Sequence, residues 1–255
     1  MIKVAQGIRD NARTSPGSDA QDPRPSPVVR TLNVGTPTGM SREVADLMKR
    51  KNIQILCLQE TRWKGEKAKE IGEGVKLFYK GNDGKRNGVG IAVSEGLKDS
   101  VSAVRRINDR IITVRLDMKD GCWTIISVYA PQTGCSEEEK DEFYMTLDDV
   151  IRSVPEGDFL TVAGDLNGHV GTDRRGLERV HGGRGIGCKN EDGERIIDLA
   201  VAHDLAICGT FFTKRESQKV LPGEDVTTQH KPLVADLSIT LPPKQKVKTD
   251  PRIRW

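Results

Sequence analysis

Short apolar runs alternate with amphipathic segments through the middle of the chain. Residues 53–60 (IQILCLQE) and 159–164 (FLTVAG) are almost continuously apolar, which is typical of buried strands. Residues 111–118 (IITVRLDM) instead alternate apolar and polar positions, the period of a half-buried strand. A KDG turn at 119–121 leads this strand into residues 122–130 (CWTIISVYA), so the pattern predicts a β-hairpin.

Three other segments have the spacing of helices. Residues 41–52 place Val44, Leu47 and Met48 on one face, with Ser41 as the predicted N-cap. Residues 136–154 begin with a capping box formed by Ser136 and Glu139. Their predicted apolar face consists of Phe143, Leu147, Val150, Ile151 and Val154. Residues 190–205 have the third helical pattern.

Two more strands are predicted after the third helix, at residues 206–212 (AICGTFF) and 233–239 (LVADLSI). Because the helices are separated by hairpins, mainly antiparallel sheets with helices outside them are favoured over one parallel sheet. The fold class predicted from the pattern is therefore α/β.

Both ends of the chain differ from this centre. Residues 1–30 are rich in Pro, Ser, Asp and Arg and lack apolar periodicity, so we expect a disordered leader. Residues 242–255 form a basic, proline-broken tail, which is either inert or in contact with nucleic acid. Residues 31–241 are then predicted to form one domain, a size ample for a hydrophobic core.

Composition excludes several classes of protein. Charged residues make up 30% of the 255 residues but nearly cancel at +3, so no strong global field attracts nucleic acid or membrane. The five cysteines include no CxxC pair, which favours a reducing compartment and gives no zinc-finger spacing. No apolar run approaches the roughly 20 residues of a membrane helix. We expect a soluble, intracellular protein with no membrane partner.

Polar residues follow three of the predicted strands. Glu60 ends LQE, Tyr129 precedes a proline in SVYAP, and Asp165 and Asn167 lie two apart in GDLNG. Each has an ordinary structural explanation: an exposed strand-end carboxylate, a half-buried tyrosine, or a Gly-Asp-Asn turn. Taken singly, these residues leave a catalytic role and a structural role both open.

Other candidate motifs are weaker. The glycines of 182–187 (GGRGIG) do not follow a strand in a βαβ unit, which excludes a dinucleotide site. Residues 165–176 start like a calcium loop but lack its glycine and its final glutamate. His169, His181 and His203 have no metal-ligand spacing, and His203 is expected to be a packed core residue.

Read in order, LNV (32–34), LQET (58–61), SVYAP (127–131), GDLN (164–167) and QH (229–230) resemble the endonuclease/exonuclease/phosphatase superfamily. Residues 31–65 and 221–239 are similar to the endonuclease domain of RTE/BovB-type non-LTR retrotransposons and to craniofacial development protein 2-like proteins. The resemblance implies a four-layer α/β sandwich, two mainly antiparallel sheets flanked by helices. It also implies hydrolysis of phosphodiesters with Mg²⁺ (Mn²⁺ possible), with DNA as partner and the nucleus, otherwise the cytoplasm, as location.

The resemblance also implies a role for each matching residue. Glu60 would be the carboxylate ligand of Mg²⁺, with Asn33 beside it. Asp165 would orient and deprotonate the attacking water, and Asn167 would hydrogen-bond the phosphate. The remaining two, Tyr129 and His230, would donate hydrogen bonds to the substrate.

This chain departs from the family pattern in three places. Gly35 lies where abasic-site endonucleases often carry a second acidic ligand, and Gln229 lies where the superfamily usually has Asp. Between residues 212 and 229 the chain lacks the Asp in an (I/L)DY context that holds the family's histidine. We therefore expect one or two strands to be missing near residues 213–225, and His230 to lack the carboxylate that raises its pKa.

These departures leave three functions open. The chain is a Mg²⁺-dependent retroelement DNA endonuclease, impaired by the missing aspartate strand, or a catalytically weak or inactive fragment that binds nucleic acid or protein. A third function, hydrolysis of a phosphoinositide or an RNA tail, is disfavoured by the retroelement-like segments. Oligomeric state and DNA specificity have no signal in the sequence.

Overall fold

The computed structural model describes residues 4–8, 27–35, 40–82 and 87–211, with residues 4–8 described by their backbone alone. Ten strands are described: β1 (Val4–Ile8), β2 (Val29–Asn33), β3 (Ile55–Gln59), β4 (Gly65–Glu70), β5 (Lys76–Gly81), β6 (Val89–Val93), β7 (Val101–Arg106), β8 (Ile111–Met118), β9 (Gly121–Tyr129) and β10 (Phe159–Asp165). The helices are α1 (Met40–Arg50), α2 (Glu95–Lys98), α3 (Glu137–Arg152) and α4 (Glu191–Ala202), followed by a 3-10 turn at Cys208–Thr210.

The strands form two mixed sheets of five strands each. Sheet I has the order β2-β3-β6-β5-β4, and sheet II has the order β1-β10-β9-β8-β7. Only the β2–β3 and β9–β10 pairs are parallel, and the other described pairs are antiparallel. The two parallel pairs matter for function, because each brings two carboxyl-terminal strand ends to one sheet edge.

Three hydrophobic clusters define the layers. One contains inward residues of both sheets, such as Cys57 and Ile125, and is the core between the sheets. A second packs α1 on the outer face of sheet I through Val44, Leu47 and Met48. The third packs α3 and α4 on the outer face of sheet II. The fold is an α/β sandwich of two sheets flanked by helices, as the sequence predicts.

The local predictions are confirmed where the pattern is strongest. Strand β8 covers the predicted residues 111–118 and pairs with β9 as a hairpin. The Ser136 side chain accepts a hydrogen bond from the Glu139 backbone amide at 3.3 Å, so it caps α3. All five residues of the predicted apolar face of α3 are buried.

Three predictions of secondary structure differ from the structure. Ser41, the predicted N-cap of the first helix, lies inside α1, which begins one residue earlier at Met40. The strand expected at 206–212 is wrong: residues 208–210 form a 3-10 turn, because the Thr210 hydroxyl donates to the Ile207 carbonyl at 2.7 Å and tightens the chain there. Within the predicted leader, residues 4–8 form β1 on the edge of β10, which supplies their backbone groups with partners. Strand β2 also starts inside that range, at Val29, which is fully buried between the sheets.

Three further expectations lie outside the described residues. They are the strand at 233–239, the missing strands near 213–225 and the tail at 242–255. Within the ranges that the structure does describe, no helix has the length and apolar character needed to cross a membrane.

Candidate active site

The core between the sheets ends in a polar layer, and this layer forms the candidate site. Strand alternation makes positions 29, 31 and 33 of β2 point inward, as do positions 125, 127 and 129 of β9. The last inward residues of β2, β9 and β10 are Asn33, Tyr129 and Asp165. All three are buried, at 1%, 4% and 8% exposure, and they lie at the carboxyl-terminal ends of their strands.

Glu60 is the centre of this layer. It directly follows β3, whose last residue Gln59 pairs with Asn33 of β2. The Asn33 amide donates to Glu60 Oε1 at 2.8 Å, and the Tyr129 hydroxyl donates to the same oxygen at 2.7 Å. The Glu60 side chain is only 13% exposed. The structural explanation considered in the sequence analysis, an exposed carboxylate at a strand end, is therefore wrong.

The backbone at Glu60 is held in an uncommon conformation. Its φ is 52°, in the left-handed region that costs a non-glycine residue on the order of 1–3 kcal/mol. The following residues fix this turn, because the Thr61 and Arg62 amides donate to the Gly88 and Asn87 carbonyls at 3.1 and 3.2 Å. The neighbouring loop thus fixes the direction in which the Glu60 carboxylate points.

Tyr129 joins the two sheets through Glu60. Burial and the hydrogen bond to Glu60 hold the pKa of the Tyr129 phenol well above its ordinary value, so the hydroxyl stays protonated and donates. Gln132 Nε2 donates to the phenol oxygen at 2.9 Å. The Arg110 guanidinium lies 5.6 Å from the Tyr129 ring centre and donates to the Tyr129 carbonyl at 3.3 Å. The phenol proton is therefore directed at Glu60.

Asp165 and Asn167 lie beside Tyr129 on the next strand. Asp165 pairs with Tyr129 in the parallel β9–β10 register. Asp165 Oδ1 accepts from the Asn167 backbone amide at 3.2 Å, which closes a turn in which Asn167 has a φ of 49°. The Asn167 side-chain amide donates to the Ala130 carbonyl at 2.8 Å. Asp165 and Asn167 therefore form a turn and also belong to the candidate site.

Helix α4 supports the segment that carries these two residues. The Asn190 side chain accepts hydrogen bonds from the His169 and Gly193 amides, at 2.9 and 2.8 Å. A Cβ on Gly193 would come within 1.9 Å of the His169 carbonyl oxygen, so only glycine allows this close approach. The start of α4 thus fixes the loop that follows Asp165.

The donor set suits a hard divalent cation. Asn33 Oδ1 is buried and has no hydrogen-bond partner among the described residues, although it lies next to the Glu60 carboxylate. Mg²⁺ is bound through one or two carboxylates, amide oxygen and water, and does not need a large cage. Within the described ranges, no group of three His, Cys, Asp or Glu side chains is placed to hold a metal ion.

The histidines separate into different environments. The candidate His230 lies outside the described residues. His203 is a packed residue as predicted, with its Nε2 2.6 Å from Asp148 Oδ1 at the end of α4. His181 is fully buried and accepts a hydrogen bond from the Gly183 amide at 3.0 Å, and burial lowers its pKa. His169 is exposed.

Three residues at the site gave no signal in the sequence analysis. Arg110 directly precedes β8, and Gln132 follows a proline, so neither position differs from an ordinary turn residue. Arg62 Nη2 lies 3.8 Å from Glu60 Oε2. Gln132 and Arg62 contact residues only three and two positions away, whereas the contact of Arg110 with Tyr129 depends on the pairing of β8 with β9.

Comparison with known proteins identifies relatives of the chain and of its fold. Craniofacial development protein 2 of Bos taurus is 28% identical over 245 residues, covering 84% of this chain and 40% of that protein. The chain thus spans less than half the length of this relative. The AP endonuclease LMAP from Leishmania major has the same fold, with a TM-score of 0.50, 14% identity and coverage of 76% of this chain and 75% of that chain.

A 3′ phosphatase from Neisseria, bound to a product DNA hairpin, also shares the fold at a TM-score of 0.50 and 18% identity, covering 69% of this chain and 71% of that chain. The Endonuclease/Exonuclease/phosphatase family model matches residues 31–218, which is most of the chain and includes Asn33, Glu60, Tyr129, Asp165 and Asn167. The resemblance noted in the sequence is therefore confirmed, and the chain belongs to the endonuclease/exonuclease/phosphatase family.

Proposed function

We propose that this chain is a Mg²⁺-dependent phosphodiesterase that nicks DNA, as expected of a retroelement-type endonuclease. The observation that carries the proposal is the convergence of Asn33 and Tyr129, from the ends of β2 and β9, on one carboxylate oxygen of Glu60, which follows β3. Asp165 lies beside them in register with Tyr129. A structural role does not require two buried donors on one carboxylate at a sheet edge.

In this proposal Glu60 and Asn33 hold the cation, which when bound stabilises negative charge on the phosphate and on the leaving oxygen. Mn²⁺ can replace Mg²⁺ because both accept oxygen ligands. Asn33 Oδ1 supports this assignment. It has no hydrogen-bond partner among the described residues, so a cation could bind it without breaking a hydrogen bond. Tyr129 keeps the Glu60 carboxylate in one orientation through its hydrogen bond.

Asp165 acts as the base of the reaction. The oxygen of a water molecule forms a bond to phosphorus, its proton passes to Asp165, and the bond from phosphorus to the 3′ oxygen breaks. The products are a 5′ phosphate and a 3′ hydroxyl, which takes its proton from solvent. Asn167 has a second amide hydrogen beyond the one given to Ala130, and this hydrogen is assigned to a phosphate oxygen.

His230 is assigned to a non-bridging phosphate oxygen, as the family pattern suggests. The sequence between residues 212 and 229 lacks the (I/L)DY aspartate that holds the histidine in the family pattern. The loss of such a partner costs about 10⁴ in kcat in a triad enzyme, so the nicking activity is proposed to be weak. The absence of this motif from the sequence is also the reason for the second candidate function, a domain that binds DNA or protein with little catalysis.

DNA as the substrate is supported by the family and by the DNA-bound Neisseria phosphatase of the same fold. A nuclear location is proposed from that substrate alone.

A plasmid-nicking assay separates the two candidates. The purified chain is incubated with supercoiled plasmid in Mg²⁺ or in EDTA, together with Glu60→Ala and Asp165→Ala. Glu156→Ala and Asp120→Ala are matched controls, because both are exposed and lie at the opposite end of sheet II. Nicking that needs Mg²⁺ and is lost only in the two site variants supports the proposal. A folded wild-type protein that does not nick supports the binding function instead.

A further inference from the structure

A second buried polar layer lies directly below the candidate site. It consists of Thr31, Gln59 and Ser127, which are 1%, 0% and 0% exposed. The Thr31 hydroxyl donates to Gln59 Oε1 at 2.7 Å, and Gln59 Nε2 donates to Ser127 Oγ at 3.3 Å. These two hydrogen bonds connect β2 and β3 of sheet I to β9 of sheet II, inside an otherwise apolar core.

Each member of this layer is next to a residue of the site. Thr31 is two positions before Asn33 on β2, and Ser127 is two positions before Tyr129 on β9, so each pair points to the same side of its strand. Gln59 immediately precedes Glu60. Thr31, Gln59 and Ser127 therefore lie beneath the Glu60 carboxylate and its two hydrogen-bond donors.

Apolar contacts alone do not fix how far one sheet slides over the other, because the hydrophobic effect has no direction. Hydrogen bonds are directional, and a satisfied buried network selects one arrangement. The 2.7 Å bond from Tyr129 to Glu60 crosses between the sheets and requires a defined offset between them. Among the described residues, the Gln59 bridge is the inter-sheet hydrogen bond that lies directly beneath it.

We propose that Gln59 is a positioning residue for the site: through Thr31 and Ser127 it sets the offset between the sheets at which Tyr129 reaches Glu60. This inference rests on the proposed function, because it concerns the same site. It assigns no contact with substrate to Gln59, which is fully buried.

Three variants separate positioning from stability. Gln59→Met keeps the length of the side chain but leaves the Thr31 and Ser127 hydroxyls unpaired. The triple variant Thr31→Val, Gln59→Met, Ser127→Ala makes the whole layer apolar, which removes the cost of unpaired buried groups. Thr124→Val is the control, since it breaks a buried 2.8 Å bond to Asp158 at the other end of β9.

Three measurements are made on the full chain: the rate of Mg²⁺-dependent nicking, the midpoint of urea unfolding, and the ¹⁹F spectrum of protein labelled with 3-fluorotyrosine. The chain has three tyrosines, and Tyr129→Phe identifies the signal of residue 129. Gln59→Met is expected to lower kcat about 10- to 100-fold with little change in KM, the cost of a small misplacement of reacting groups. The triple variant keeps this loss although its urea midpoint recovers, and both variants shift the Tyr129 signal.

The inference is overturned if the triple variant recovers kcat as well as the urea midpoint. It is also overturned if the Tyr129 signal is unchanged in both Gln59 variants. Thr124→Val is expected to lower the urea midpoint without moving that signal. If the wild type does not nick at all, the proposed function fails, but the fluorine signal still decides whether Gln59 positions Tyr129. The two failures are therefore distinguishable.

Discussion

The Tyr129 hydroxyl of sheet II donates a 2.7 Å hydrogen bond to the Glu60 carboxylate at the edge of sheet I. The same carboxylate oxygen accepts from Asn33 at 2.8 Å. Two donors from different strands therefore hold this carboxylate in one orientation, which is a property that a cation site needs.

Tyr129→Phe tests this relationship by removing one hydroxyl. A hydrogen bond to a charged group contributes about 1.5–3 kcal/mol, so kcat is expected to fall between about 10- and 100-fold. Single-turnover nicking in saturating Mg²⁺ measures the change. Tyr79→Phe is the control, because Tyr79 packs on the outer face of sheet I. Equal rates for Tyr129→Phe and wild type contradict a role for the phenol.

Gly193→Ala tests the support that α4 gives to the Asp165 segment. In an ordinary helix this change stabilises by about 1 kcal/mol. Here the new methyl group would meet the His169 carbonyl oxygen at 1.9 Å, so we expect destabilisation of about 1–3 kcal/mol and slower nicking. Urea unfolding measures the first effect.

Gly96→Ala is the matched helical control for that change. No atom lies within 4 Å of a Cβ built on Gly96 of α2, so this variant should be as stable as wild type or slightly more stable. A Gly193→Ala protein that gains stability to the same extent shows that the close approach to His169 is not present in solution.

The sequence predicts most of the helices and strands because their signals are local. The apolar face of α3 from Phe143 to Ile151 and the alternation in β8 are each complete within one element. The prediction fails at 206–212, where a bond from the Gly182 amide to Thr210 Oγ1 at 2.8 Å, from 28 residues away, helps to hold a 3-10 turn. A pattern confined to one segment cannot include that contact.

The site is predictable to a similar extent. Glu60, Tyr129 and Asp165 are recognisable as polar residues at the ends of apolar strands. Arg110 and the layer of Thr31, Gln59 and Ser127 are not, because their positions acquire meaning only when sheet I packs on sheet II. Alternation gives the side of a strand, but not the residue that it meets across the core.

Stability should depend on pH through His181. Burial lowers the pKa of this histidine in the folded chain, whereas the unfolded chain has a value of about 6.5. The unfolded state then binds more protons, so the contribution of His181 is complete above the unfolded pKa and is lost as pH falls below it. The free energy of unfolding should be smaller at about pH 5 than at about pH 7.5.

Urea titrations of His181→Gln at the two pH values measure this contribution. The variant should lose less stability than wild type between the two values, because it has no group to protonate at that position. Asp173 and Arg174 act on His181 with opposite sign, so both are retained in the variant. His169→Gln, an exposed position, is the control and should keep the wild-type difference. Identical pH dependence in His181→Gln and wild type contradicts the prediction.

The central claim is that Glu60 and Asn33 hold a divalent cation that the cleavage of DNA requires. The most direct test is the rate of plasmid nicking as a function of Mg²⁺ concentration in wild type, Asn33→Ala and Glu60→Ala. We expect nicking by the wild type to saturate with Mg²⁺, Asn33→Ala to need a higher concentration for half its maximal rate, and Glu60→Ala to show no Mg²⁺-dependent nicking. Nicking by Glu60→Ala with the wild-type Mg²⁺ midpoint contradicts the claim.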